Sequence, residues 1–129
     1  MRILLTVVVL LAAWPSLAGD FCVVVCNDAA HRPERTCPSP TFRTSAEIEE
    51  DFKLIARGGA PSWPFGALGN GMFQFCSSAE RKQLIDTVLA VLPDATADRR
   101  RQLADFVCMI GSKKQCEKAR VSQRRKRRS

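Results

Sequence analysis

Six cysteines in a chain of 129 residues constrain this sequence more than any other feature. What Cys22, Cys26, Cys37, Cys76, Cys108 and Cys116 do depends on the compartment they meet, and the N-terminus speaks to that. Residues 1–18 read as a secretory signal peptide. Arg2 gives the positive start, Ile3 to Ala13 is an unbroken apolar run, Trp14-Pro15 interrupts it, and Ser16-Leu17-Ala18 puts small residues where a signal peptidase reads them. The apolar run covers only about half of a ~30 Å hydrocarbon core, too little for a membrane anchor. Cleavage after Ala18 keeps all six cysteines and sends them along an oxidising route, where the thiols of a small domain pair. The predicted product is secreted and extracellular, with three disulfides each contributing about 2–4 kcal/mol. Zinc ligation is not expected, because no Cys-x-x-Cys occurs and His31 is the only histidine.

The net charge of +7 suggests nucleic acid or membrane until it is localised. Nine basic residues and one acid, Glu117, fall from Lys113 onward, so the part before it is close to neutral. The basicity concentrates in Arg124, Arg125, Lys126, Arg127 and Arg128. That run reads in three ways: a solvated, disordered tail over 121–129, a handle for acidic surfaces such as anionic lipid or sulfated glycans, or a processing-protease site of the R-x-[KR]-R type. Arg32-x-x-Arg35 and Lys113-Lys114 are further cut sites of that kind. An exported chain gives no reason to expect a nucleic-acid partner.

Three stretches carry helix signals, within one disulfide-rich domain over 19–120. Thr44-Ser45-Ala46-Glu47 has capping-box spacing, and Ile48, Phe52 and Ile55 follow as one apolar stripe that Gly58-Gly59 ends. Ser77-Ser78-Ala79-Glu80 is a second capping box, ahead of Leu84, Ile85, Val88, Leu89, Val91 and Leu92, with Pro93 as the stop. A third helix runs from about Ala95 toward Lys118, with Leu103, Phe106, Val107 and Ile110 inward, Arg99-Arg100-Arg101 outward and a break at Gly111-Ser112. Phe21 to Cys26 is ambiguous between a β-branched strand and a short helix capped by Asp20. The predicted fold is therefore mainly α: a small disulfide-stapled helical domain of three to four short helices with a long Gly/Pro/aromatic loop.

That loop, 59–75, holds four glycines, two prolines, Trp63, Phe65, Phe73 and Phe75. Long loops of this kind are commonly functional. Either its aromatics fold back over the helices and are locked by Cys76, or they form a presented anchor, and these four residues are the partner-binding candidates. No catalytic constellation stands out. His31 has no nucleophile motif beside it, and the acids at 47, 49, 50 and 51 read as helix-start residues. Neither enzymatic activity nor a cofactor is expected.

The order of the cysteines resembles that of saposin-like proteins, exported helical domains with six cysteines nested from the ends inward, although every spacing departs from that family's. The resemblance implies Cys22 and Cys26 joined to Cys116 and Cys108, Cys37 joined to Cys76, and a membrane-active or lipid-binding function. From the residues themselves the expected function is a non-enzymatic binding protein, a hormone-like or toxin-like ligand of an extracellular receptor or channel. The saposin-like reading, with an anionic membrane met through the basic tail, is the alternative.

Overall fold

A computed structural model describes residues 21–28, 37, 39–70 and 72–128, with backbone only at Asn70 and from Arg125 to Arg128. The candidate signal peptide, His31 and the Arg32/Arg35 cut site lie outside the described residues.

The ambiguous N-terminal segment is a strand. β1 (Phe21–Val25) is the centre of a three-stranded parallel sheet, flanked by β2 (Ser39–Arg43) and β3 (Phe73–Phe75). Phe21 pairs with Ser39 at one edge, and Val23 pairs with Phe73 at the other. A central parallel strand is covered on both faces, so its sequence is continuously apolar rather than alternating. Successive side chains still point to opposite faces. Val23 and Val25 enter the main core, whereas Cys22, Val24 and Cys26 form a second cluster with Cys37, Met72 and Cys76. Helices cover the first face and two disulfides close the second. Pro40 is tolerated because β2 is an edge strand.

The bridges are Cys22–Cys37, Cys26–Cys76 and Cys108–Cys116. The nested arrangement implied by the saposin-like cysteine order is therefore not formed. Its physical obstacle is local: Cys22 and Cys26 lie on a strand inside the sheet, while Cys108 and Cys116 end and begin two helices that face each other.

Thr44 caps α1 (Ser45–Ala56): its hydroxyl accepts from the Glu47 N–H at 3.2 Å, and the Glu47 carboxylate accepts from the Thr44 N–H at 3.1 Å. The stripe Ile48, Phe52 and Ile55 is buried, and Gly58 ends the helix in the left-handed conformation (φ 92°) expected of a glycine stop. A short α2 (Ala67–Asn70) lies inside the aromatic loop. α3 (Ser78–Val91) starts after Ser77, but its expected capping box is absent. Glu80 is turned inward instead, and its Oε1 accepts from the Asn27 N–H at the end of β1, at 3.4 Å.

Pro93 sits in a 3-10 turn (Leu92–Asp94) that leads to α4 (Ala97–Ile110). The break at Gly111-Ser112 is present, and a separate helix, α5 (Lys113–Arg128), follows it. Ser112 and Gln115 form the capping box of α5: the Ser112 N–H donates to Gln115 Oε1 at 2.7 Å, and Ser112 Oγ accepts from the Gln115 N–H at 3.2 Å. The backbone of α5 is helical through Arg128. Three disulfides and a helical domain are as expected; the parallel sheet is not, and the helices number five among the described residues rather than three to four.

Phe52, Trp63, Phe73 and Phe106 meet at the middle of the core, with ring centroids 4.9–6.3 Å apart. Edge-on and tilted contacts at such distances add to what area burial alone contributes.

Candidate functional site

The four aromatics proposed as a presented anchor are divided by the fold. Trp63 is 3% exposed and Phe73 8%, so both belong to the core. The Trp63 indole N–H donates to Asp51 Oδ2 at 3.0 Å, and Arg43 donates to the same carboxylate from Nε at 2.9 Å and from Nη2 at 3.0 Å. A buried indole needs such a partner, and a buried carboxylate needs such a cation. Trp63 therefore fastens the loop to α1. Phe65 and Phe75 are half-buried, and each carries a guanidinium over its ring: Arg99 at 4.2 Å and Arg81 at 5.2 Å from the centroids.

Arg99 leads to a second feature. α4 and α5 form an antiparallel hairpin, closed at one end by the Cys108–Cys116 bridge. Further along, Arg120 Nη1 meets Asp105 Oδ1 at 2.8 Å, and the neighbouring Ala119 is fully buried in the main core. Gln102 and Gln123 follow, both lining an open cleft of about 650 Å³. Continuing the same register brings Arg101 level with Arg124, so Arg99–Arg101 and the C-terminal basic run share the open end of the hairpin. Both runs are visible in the sequence, but their alignment depends on the bridge.

Phe65, Arg99, Arg100 and Arg101 line this cleft together with Asp98 and Asp105. Arg99 Nη2 donates to the Gly58 carbonyl at 3.4 Å and Arg100 Nη2 to the Ala95 carbonyl at 3.0 Å, contacts that fix where each guanidinium sits. Arg99 Nη1 and Arg100 Nε are buried without a hydrogen-bond partner. Among the described residues, no carboxylate pairs with Arg99, Arg100 or Arg101. Arg43, Lys53, Lys82 and Arg120 all have such partners.

Elsewhere, α1 carries ordinary surface electrostatics. The Thr44 backbone N–H, then its hydroxyl, then the charge of Arg43 hold the Glu47 carboxyl below its usual range. Hydrogen bonding and charge from Glu50, followed by Glu49, hold Lys53 above its own. No group of three His, Cys, Asp or Glu side chains among the described residues is placed to hold a metal ion. No helix there is long and apolar enough to cross a membrane. No family model, no curated protein and no solved structure matches the chain.

Proposed function

We propose that this chain is an exported, non-enzymatic binding protein, a hormone-like or toxin-like extracellular ligand of a receptor or channel, whose working surface is the cationic end of the α4–α5 hairpin. The observation that carries this reading is the set of three arginines without carboxylate partners, level with the C-terminal basic run and mounted on a closed core. Three disulfides suit an oxidising, extracellular setting. The aromatic loop contributes the mounting, through Trp63 and Phe65, and does not serve as the anchor.

The test is binding of the labelled, oxidised protein to cells of the source organism that have been stripped of surface glycans. Saturable binding, displaced by unlabelled protein, removed by protease treatment of the cells and weakened by deleting Arg124–Arg128, supports the reading. Absence of any saturable site contradicts it. A membrane-surface reading draws on one observation, the exposure of Val121 on the basic helix, and predicts salt-sensitive binding to anionic vesicles. Its saposin-like form, in which nested bridges hold helices that open, lacks those bridges.

A further inference from the structure

We infer that the cleft between the N-terminal part of α4 and the C-terminal half of α5 seats the sulfate groups of a sulfated glycan. The inference goes beyond the receptor reading and uses it only for where such glycans are met.

Four features select this ligand chemistry. The cations that line the cleft are all arginines, whose planar forks match tetrahedral oxyanions in pairs of hydrogen bonds better than an ammonium does. Two of them are already positioned, Arg99 by the Phe65 ring and the Gly58 carbonyl, and Arg100 by the Ala95 carbonyl. Less side-chain freedom is then lost when an anion binds. The charge is also extended, because the register of the hairpin brings Arg124 level with Arg101, an array suited to a repeating anion. Finally, the cleft is concave and carries Gln102 and Gln123, whose amides can both donate to and accept from sugar hydroxyls. A flat bilayer meets a convex basic face more readily than a cleft of this shape. Two carboxylates also line the cleft, but Asp105 is neutralised by Arg120 at 2.8 Å, which leaves Asp98 alone against three guanidiniums.

The experiment uses the full oxidised chain and purified ligands: a heparin hexasaccharide, the unsulfated backbone of the same length, poly-glutamate, and vesicles of phosphatidylserine and phosphatidylcholine. One variant replaces Arg99, Arg100 and Arg101 by glutamine. A second removes the same charge elsewhere on the hairpin, with Lys113, Lys114 and Lys118 replaced by glutamine. The expected result is binding to heparin alone, with affinity cut about tenfold or more and the salt slope reduced by roughly two to three units in the first variant. The second should change affinity by less than about twofold, its charges lying off the cleft. If far-UV circular dichroism shows the arginine triple to be unfolded, Arg101→Gln with Arg124→Gln replaces it, both positions being exposed. That pair should weaken heparin binding several-fold. Equal losses from both charge-matched triples would overturn the inference, since diffuse charge would then suffice. So would no loss in the Arg101/Arg124 pair, equally tight binding to poly-glutamate or vesicles, or no heparin binding at all.

Discussion

The indole N–H of Trp63 donates to the carboxylate of Asp51 at 3.0 Å, across twelve residues of chain and inside the core. The same carboxylate receives Arg43 at the end of β2, so one acid ties the sheet, α1 and the aromatic loop together. Removing it by Asp51→Ala leaves a cation and an indole N–H without their partner. The expected loss of stability is about 2–4 kcal/mol, below the full cost of breaking a buried pair because Arg43 keeps part of its side chain in water. Trp63→Phe loses the hydrogen bond and also shrinks a buried indole to a phenyl, at about 2–3 kcal/mol. Urea titration checks both, as a shift in midpoint at constant slope.

The division of the loop aromatics makes a second prediction. Trp63→Ala opens a cavity against Phe52 and Phe73 and should cost about 3–5 kcal/mol. Phe65→Ala removes a half-buried ring and the surface under Arg99, and should cost about 1 kcal/mol. Near-equal losses in the two variants would return Trp63 to the surface.

The short bridge of the hairpin makes a third. Cys108 and Cys116 are separated by 8 residues, so chain entropy alone gives the bridge about 2–3 kcal/mol. Replacing both by serine should lower stability by that amount. Amide exchange should rise along α5 first, since it is the element that the bridge fastens to α4, and Ala119, the Asp105–Arg120 pair and packing against the Leu92–Asp94 turn are left to hold it, while the amides of β1 stay protected.

A fourth concerns pH. The Glu47 carboxyl is held below its usual range, mainly by the Thr44 N–H, so the unfolded chain binds its proton at higher pH than the folded one. Its contribution is fully present above the ordinary glutamate range, near pH 4, and is lost as pH falls through the folded value. Glu47→Gln retains an acceptor for the Thr44 N–H. It should therefore remove this part of the acid sensitivity between about pH 5 and 3 while keeping most of the stability at pH 7, as read by thermal melts.

The helices were legible because their signals are local. The Thr44–Glu47 box and the stripe Ile48, Phe52, Ile55 contain all that α1 needs. The sheet was not, because β1 has no alternation, β2 contains Pro40, and β3 is three residues inside a Gly-rich loop; only their pairing makes them strands. Glu80 shows how tertiary structure overrides a local signal, since the end of β1 supplies a partner that the helix cap would otherwise have provided. Ser112-x-x-Gln115 was a readable start for α5, masked by the neighbouring Gly111. The cleft was legible in its parts, Arg99–Arg101 and Arg124–Arg128. Its assembly depends on which cysteine joins Cys108, and composition does not reveal that.

A basic helical hairpin, closed by a bridge of its own, is mounted on a core whose other bridges belong to the sheet. Peptide mapping of the unreduced protein by mass spectrometry tests it most directly. Linked peptides are expected for Cys108–Cys116, Cys22–Cys37 and Cys26–Cys76. Peptides joining Cys22 or Cys26 to Cys108 or Cys116 would contradict it, and would dissolve the alignment of the two basic runs.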